Sequence, residues 1–228
     1  MAIQRMKEAI DILSRAMETR AELRIAIQKD GRLSAISWAL LSTCLEAAGI
    51  DVPEIDPKKR DKRVVISPIL APNIKIGLFK QSDIPRLVER GQADFGIVGE
   101  DKAIEMGLED LIATKLGSAE SSLVIQIPKN SPITTLEGIN GKTIATSFPK
   151  IVTNYLATKN IIPKSIEYMD GSVEGAPAFG VADITADLVQ SGSGMRDNDL
   201  RPLITVRNFE AVLLKGKNAL MSTSTTNT

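Results

Sequence analysis

Short apolar segments alternate with helical patterns along most of this 228-residue chain, and this alternation is what most restricts its fold. A helix between two strands returns the chain to the starting edge of a sheet, so the two strands pair in parallel. The sequence therefore predicts an α/β protein with mainly parallel sheets. The predicted strands are 23–27, 63–67, 74–79, 93–98, 122–127, 142–146, 166–169, 184–189, 203–206 and 211–215. The predicted helices are 4–20, 35–48, one that opens within 80–85 and runs to 90, 102–106 and 149–159.

The residue types that are missing limit the chemistry. The chain has no histidine and a single cysteine, Cys44, which disfavours an imidazole base, an intramolecular disulfide and a zinc site. We expect Cys44 to pack on a helix rather than to act as a nucleophile. Basic and acidic residues number 28 each, which gives no reason to expect nucleic acid or a membrane as the main partner. Catalysis must then rest on carboxylates, cations and positioning, which suits transfer to an atom that is already nucleophilic.

The N-terminal segment has the pattern of an amphipathic helix. Met6, Ile10, Leu13 and Met17 recur at three- and four-residue spacing with charged residues between them. Two partners for this apolar face are open, the body of the chain and another subunit. No apolar run approaches the ~20 residues of a membrane span, and with the lone cysteine this favours a cytoplasmic protein.

The segment from Asp170 to Leu200 combines the features of a sugar-phosphate site. Its strand, 184–189, ends in the loop Ser191–Gly194, whose two glycines allow positive φ and a concave row of N–H groups suited to phosphate. Asp187 lies at the carboxyl end of that strand and suits ribose hydroxyls. Glu174 opens a short helix, where its carboxylate could serve the ligand or simply interact with the helix dipole.

Loops nearer the N-terminus also follow predicted strands, where α/β proteins bind ligands. Lys29 and Arg32 offer positive charge to phosphates, or they belong to a solvated turn. Asp101 could accept a hydrogen bond from a ribose or adenine group, or it could cap the helix 102–106. We expect Ser34 to cap the helix 35–48 and Gly49 to end it.

A family resemblance connects these segments. The chain is similar to the ATP phosphoribosyltransferases, which catalyse the first step of histidine biosynthesis, at Glu174, Gly180, Ala182, Asp183, Asp187, Ser191, Gly192 and Asn198. Supporting motifs stand upstream at 24–34, 83–85, 94–101 and 144–149, and the resemblance covers roughly residues 23–215. It implies a two-lobe fold like that of type II periplasmic binding proteins, with a cleft between the lobes. We expect an N-terminal helix at 1–20, lobe I at 21–116 and 201–228, and lobe II, with the phosphate loop, at 117–200.

The resemblance also implies a reaction and a set of site residues. The family transfers the 5-phosphoribosyl group of phosphoribosyl pyrophosphate to N1 of ATP and releases pyrophosphate. Mg²⁺ is expected on the substrate's oxygens rather than in a protein cage. The residues matched to catalysis are Arg32, Arg63, Glu174 and Asp187, with Arg32 and Arg63 as cations for pyrophosphate. Those matched to phosphoribosyl pyrophosphate are Glu174, Asp187, Ser191, Gly192, Ser193, Gly194 and Met195, and those matched to ATP are Lys29, Gly31, Lys80 and Asp101.

The ending of the chain and three departures from the family pattern refine this expectation. Only 13 residues follow Lys215, so the chain resembles the short form, a homodimer within a hetero-oligomer that includes a histidyl-tRNA-synthetase-like regulatory subunit. Gly194 stands where the family has a threonine, Lys80 replaces an arginine, and Ser121 replaces a frequent cysteine, the last a packing change. The first two departures leave an alternative open, a noncatalytic ligand-binding or regulatory relative on the same fold.

Overall fold

The structure, a computed structural model, describes residues 2–50, 73–190 and 192–219. The predicted strand 63–67, Arg63 and Ser191 lie outside the described residues, and so does the side chain of Arg32. The chain divides into two compact units. The first unit comprises 1–119 and 210–228, and the second unit comprises 120–209.

Helices and strands alternate through both units at nearly the predicted bounds. The helices are α1 (Ala2–Thr19), α2 (Arg32–Ala47), α3 (Ile84–Glu89), α4 (Glu100–Glu105), α5 (Pro149–Thr158) and α6 (Ser193–Asp197). The strands are β1 (Leu23–Gln28), β2 (Ile74–Phe79), β3 (Phe95–Gly99), β4 (Ile112–Lys115), β5 (Ser121–Pro128), β6 (Thr143–Thr146), β7 (Ser165–Tyr168), β8 (Ile184–Val189), β9 (Leu200–Phe209) and β10 (Ala211–Lys215). Short 3₁₀ helices span Glu109–Leu111, Leu136–Ile139 and Val173–Gly175. Neither β4 nor α6 is among the predicted strands and helices. None of the described helices is long and apolar enough to cross a bilayer.

Within the described residues, each unit contains one five-stranded mixed sheet. In the first unit the strand order is β2-β1-β3-β10-β4, with β1 parallel to β2 and β3 and with β10 antiparallel to β3 and β4. The second unit has the order β7-β6-β8-β5-β9, with β6 parallel to β7 and β8 and with β5 antiparallel to β8 and β9. The α/β class is therefore confirmed. In both sheets the first three strands in the spatial order are parallel, the fourth is antiparallel to the third, and the fifth is antiparallel to the fourth.

Strand β9 corrects one sequence-based expectation. The segment 203–206 was expected to return to the first lobe, but it lies within β9, which pairs along β5 at the edge of the second sheet. The chain reverses just before β9 at Asp199, whose positive φ of 53° is typical of a tight turn. This reversal directs β9 antiparallel to β5, so that β10 and not β9 carries the chain into the first sheet.

Helix α1 packs on its own unit. Leu13 and Met17 are buried, while Met6 and Ile10 are partly buried, all in the first unit's core beside Trp38 of α2. Polar contacts join the same helix to the unit, from Thr114 Oγ1 to Glu8 Oε2 at 2.7 Å and from Arg5 Nη1 to Glu210 Oε1 at 2.6 Å. Of the two partners left open by the sequence, this apolar face uses the body of the chain.

Helix α2 differs from the prediction at its start and agrees with it at its end. It begins at Arg32 with Gly31 as the preceding residue, so Ser34 does not cap it and lies inside the first turn, where its hydroxyl donates to the Lys29 carbonyl at 3.3 Å. Gly49 has the expected positive φ, 70°, just past the helix end. Cys44 is fully buried within α2, as predicted, and this burial raises the pKa of its thiol to about 11.

Asp94 joins the beginnings of β1 and β3. Its Oδ1 accepts a hydrogen bond from Arg20 Nη2 at 2.9 Å, and its Oδ2 accepts one from the Arg24 backbone N–H at 2.8 Å. The side chains are 5% exposed for Asp94 and 11% for Arg20. Because both charges are taken out of water, each depends on the other for compensation. This motif residue therefore has a structural role.

We expect Asp94→Ala to lower the free energy of unfolding by about 3–5 kcal/mol, because it leaves the Arg20 guanidinium buried without its counterion. Chemical denaturation followed by circular dichroism measures this change. The matched control is Asp11→Ala on the exposed face of α1, which should stay within about 0.5 kcal/mol of the parent protein. Equal unfolding midpoints for the two variants would contradict the role given to Asp94.

Candidate functional site

A pocket of about 240 Å³ in the second unit brings together most of the residues matched to phosphoribosyl pyrophosphate. Two carboxylate side chains and the turn after β8 contribute to its wall. The lining residues are Gln126, Glu174, Asp187, Leu188, Val189, Gln190, Gly192, Ser193, Gly194 and Met195. Of the matched set, only Ser191 is left out, because it lies outside the described residues.

The two carboxylates reach the pocket from different elements. Glu174 lies in the 3₁₀ helix Val173–Gly175, which is anchored by the fully buried side chain of Val173. Asp187 lies on β8, opposite Val124 of β5, and its Oδ1 accepts a hydrogen bond from the Leu188 backbone N–H at 2.8 Å. Glu174 therefore lies in the first turn of a short helix, as the sequence indicated, and it also lines the pocket.

The predicted phosphate loop depends on one glycine rather than two. Gly192 has a left-handed backbone with φ of 73°, whereas Gly194 is an ordinary residue of α6. A β-carbon at Gly192 would also lie 3.0 Å from Arg196 Nη1. The N–H groups in the first turn of a helix have no acceptor within that helix, so the start of α6 supplies hydrogen-bond donors at this side of the pocket.

Gln126 is a pocket residue that the sequence analysis missed. It lies on β5, is only 2% exposed, and its Oε1 has no hydrogen-bond partner among the described residues. The available signal was the run Leu123–Pro128, in which a single glutamine interrupts an otherwise apolar strand. Read alone, that run indicated only a buried strand.

The residues matched to ATP lie at one edge of the first sheet. Lys29 and Gly31 follow β1, Lys80 follows β2, and Asp101 follows β3. These three strands are parallel neighbours, so their carboxyl ends share an edge. The Lys29 backbone N–H donates to the Phe79 carbonyl at 2.9 Å and holds the first two loops together. Lys80 is exposed, and Gly31 has a positive φ of 88°.

Asp101 is the most buried of the charged groups at this edge. It lies in the first turn of α4 and is 3% exposed, and its Oδ2 has no hydrogen-bond partner among the described residues. Burial raises the pKa of its carboxyl from 3.8 to about 6, against the opposing effects of the Lys102 charge and of hydrogen bonds from the backbone N–H groups of Asp101 and Lys102. A β-carbon at Gly99 would collide with Asp101 Oδ1 and would lie 2.6 Å from Gln81 Nε2. The carboxylate therefore takes helix-start hydrogen bonds and still keeps one oxygen without a partner among the described residues.

A sequence comparison identifies the family. The sequence profile of the ATP phosphoribosyltransferase family, HisG, matches residues 80–227. The ATP phosphoribosyltransferase of Parabacteroides distasonis is 37% identical over 196 residues, 86% of this chain and 65% of that protein. This chain belongs to the ATP phosphoribosyltransferase family. The enzyme of Cytophaga hutchinsonii is 38% identical over 191 residues, 84% of this chain and 63% of its own length. The chain thus spans somewhat less than two thirds of these curated relatives.

Solved structures confirm the fold expected for the family. A chain of the ATP phosphoribosyl transferase (HisG:HisZ) complex from Thermotoga maritima superposes with a TM-score of 0.67 at 24% identity, covering 85% of this chain and 87% of that chain. The periplasmic aliphatic sulphonate binding protein SsuA from Escherichia coli superposes with a TM-score of 0.54 at 17% identity, covering 87% of this chain and 62% of that chain. Both similarities agree with the predicted fold, which is of the periplasmic-binding-protein type.

We expect Asp101 to make stability depend on pH. Its pKa is raised in the folded state, so the unfolded chain loses this proton at a lower pH than the folded chain does. Folding therefore becomes less favourable as pH rises from about 4 to about 6. Asp101→Asn removes this contribution, and its stability relative to the parent protein should rise by about 3 kcal/mol across that range. Denaturation at pH 4, 5, 6 and 7 measures the difference. The exposed control, Asp110→Asn, should give a constant offset, and a constant offset for Asp101→Asn would contradict the raised pKa.

Proposed function

We propose that this chain catalyses the ATP phosphoribosyltransferase reaction, transferring the 5-phosphoribosyl group of phosphoribosyl pyrophosphate to N1 of ATP with release of pyrophosphate, the first step of histidine biosynthesis. The observation that carries the proposal is the second unit's pocket, which is lined by Glu174 and Asp187 together with Gly192 and the start of α6. Family membership supports the same reaction.

The pocket suits the two ends of a phosphoribosyl group differently. At the start of α6, the backbone N–H groups of Gly194 and Met195 can donate to the 5-phosphate. The carboxylates of Glu174 and Asp187, which line the same pocket, can only accept hydrogen bonds when ionised, and they favour the ribose hydroxyls. A ligand with phosphate at one end and hydroxyls at the other uses both sets of groups.

The chemistry fits a chain without histidine. Adenine N1 already carries a lone pair, so the attack on C1 of the ribose needs no base, and the C1–O bond to pyrophosphate breaks as the new C1–N1 bond forms. Charge on the departing pyrophosphate is the main difficulty, and we assign Arg32 and Arg63 as the cations that meet it.

Mg²⁺ is expected on the substrate's pyrophosphate oxygens. Among the described residues there is no group of three acidic or cysteine side chains placed to hold a metal ion, whereas Glu174 and Asp187 line one pocket together. These two carboxylates are the oxygen ligands that Mg²⁺ prefers, so they fit an ion that arrives with its substrate and takes only one or two protein ligands. When bound, the ion would neutralise charge on the leaving group.

The loops at the edge of the first sheet are proposed to hold ATP. Lys29 and Lys80 offer positive charge to its phosphates, and Gly31 allows the backbone a close approach. Asp101, with one oxygen lacking a partner among the described residues, can accept a hydrogen bond from the adenine amino group or a ribose hydroxyl.

A regulatory partner is part of the proposal. The Thermotoga maritima structure is a HisG:HisZ complex, and we propose that this chain likewise forms a hetero-oligomer, as a homodimer with a histidyl-tRNA-synthetase-like regulatory subunit. A cytoplasmic location follows from the proposed use of ATP. The competing function is a noncatalytic ligand-binding relative, which is favoured by the similarity to solute-binding proteins and by glycine at position 194.

The activity is tested with ATP, phosphoribosyl pyrophosphate and Mg²⁺ by the absorbance change of the nucleotide product, with and without the partner subunit. We expect turnover, and Asp187→Asn should weaken phosphoribosyl pyrophosphate binding about 10- to 100-fold, because the ribose loses a charged acceptor. The control, Asp197→Asn, changes an exposed acid of α6 outside the pocket lining and should bind normally. Tight binding without turnover under both conditions would favour the noncatalytic alternative.

Position 194 offers a second test of the same pocket. A β-carbon there meets no atom within 4 Å, and the backbone is helical, so a threonine fits without strain. Its hydroxyl would add a charge-assisted hydrogen bond to phosphate, and we expect Gly194→Thr to tighten phosphoribosyl pyrophosphate binding about 10- to 100-fold.

The matched control for this change is Gly192→Ala in the same loop. The left-handed backbone at Gly192 disfavours any side chain, and the added β-carbon approaches Arg196, so this variant should weaken binding. Titration calorimetry measures both. Weaker binding by Gly194→Thr would exclude the start of α6 as the phosphate site.

A further inference from the structure

Gln126 has an unusual environment for a side-chain amide. It lies on β5, which is paired on both sides, by β8 and by β9, and its side chain is 2% exposed. Its Oε1 nevertheless has no hydrogen-bond partner within the described part of the chain. Buried side-chain oxygens nearly always have a partner, because leaving one without a hydrogen bond forfeits its interaction with water. Thr185 Oγ1, opposite on β8, is likewise buried without a partner among the described residues, so no donor of the described chain reaches the amide oxygen.

The position of Gln126 indicates where a donor would bind. Gln126 lies opposite Thr185 in the antiparallel pairing of β5 with β8, so the two side chains point to the same face of the sheet. Asp187 is two residues further along β8 and points to that face as well. Gln126 and Asp187 both line the second unit's pocket, whereas Thr185, itself fully buried, is not among its lining residues.

The chemistry of Oε1 selects the kind of group that can satisfy it. A carbonyl oxygen accepts hydrogen bonds, so it requires a donor. A fully ionised phosphate has no donor and would also be repelled by Asp187 and Glu174 beside it. A hydroxyl can donate to the amide oxygen. The acceptors that line this pocket therefore match sugar hydroxyls.

We propose that Gln126 is a specificity-determining residue that accepts a hydrogen bond from a ribose hydroxyl of the ligand in this pocket. The inference rests on the proposed function, since it takes the ligand to be phosphoribosyl pyrophosphate. It adds a neutral acceptor to the two carboxylates. It also explains why a polar side chain occupies an interior strand in which the flanking residues, Ile125 and Ile127, are fully buried and apolar.

This assignment separates a ligand-binding role from a structural one. A glutamine that stabilised the fold through hydrogen bonds would destabilise the protein when replaced. A glutamine whose buried oxygen is hydrogen-bonded only when the ligand is present lowers the stability of the free protein. Replacing it with an apolar side chain of similar size should therefore leave the unfolding midpoint unchanged or raise it. Gln126→Met makes this change with little loss of volume, and Gln126→Leu provides a second apolar variant.

The experiment is calorimetric titration of the full chain with phosphoribosyl pyrophosphate and, separately, with pyrophosphate, both with Mg²⁺. For Gln126→Met and Gln126→Leu we expect about 10-fold weaker binding of phosphoribosyl pyrophosphate, unchanged binding of pyrophosphate and an unfolding midpoint that is equal or higher. The control, Thr185→Val, removes the neighbouring buried hydroxyl outside the pocket lining and should change neither affinity.

Three results would overturn the inference. Parent-like binding by both Gln126 variants would remove the residue from the ligand contacts. An equal loss for pyrophosphate would mean that the amide turns its Nε2 toward phosphate, and a lowered unfolding midpoint would indicate a structural role. If the parent chain binds no phosphoribosyl pyrophosphate, the proposed function fails first, and that result is distinct from the other three.

Discussion

Strand β8 is hydrogen-bonded on both sides, in parallel to β6 and antiparallel to β5, and the pocket of the second unit depends on this pairing. The register with β5 sets Asp187 and Gln126 on one face of the sheet. The end of the same strand delivers the chain to Gly192, where the left-handed backbone starts α6. A shift of one residue in this register would turn Asp187 to the opposite face, so the pairing specifies the pocket as well as the sheet.

Two of the buried side-chain atoms without a hydrogen-bond partner among the described residues are the carboxylate oxygen Asp101 Oδ2, in the first unit, and the amide oxygen Gln126 Oε1, in the second. Asp101 is matched to ATP, and Gln126 lines the pocket together with the residues matched to phosphoribosyl pyrophosphate. A site without histidine can orient its ligands through such acceptors. A hydrogen bond to an oxygen in a fixed position orients the ligand without transferring a proton. In this respect the structure agrees with a reaction that depends on positioning.

The sequence was sufficient for those parts of the fold that rest on local patterns. Periodicity identified the strands and helices, and the order of the motifs identified the family. The start of α2 was misplaced because Ser34 is a good capping residue by type, whereas the chain turns at Gly31. The partner of β9 could not be read from its residues, since an edge strand with alternating burial suits either sheet. Gln126 was missed because only the spatial pairing of β5 with β8 brings it to Asp187.

The mixed lining of the pocket has a consequence for competition inside a cell. The start of α6 offers hydrogen-bond donors, while Glu174, Asp187 and Gln126 add acceptors to the same lining. Small inorganic anions such as free phosphate or sulfate can use only the donors, and the negative charge of the carboxylates repels them. A sugar phosphate can use both the donors and the acceptors. Under the proposed function, abundant simple anions therefore compete poorly for this pocket, because the carboxylates that accept from the sugar also repel those anions.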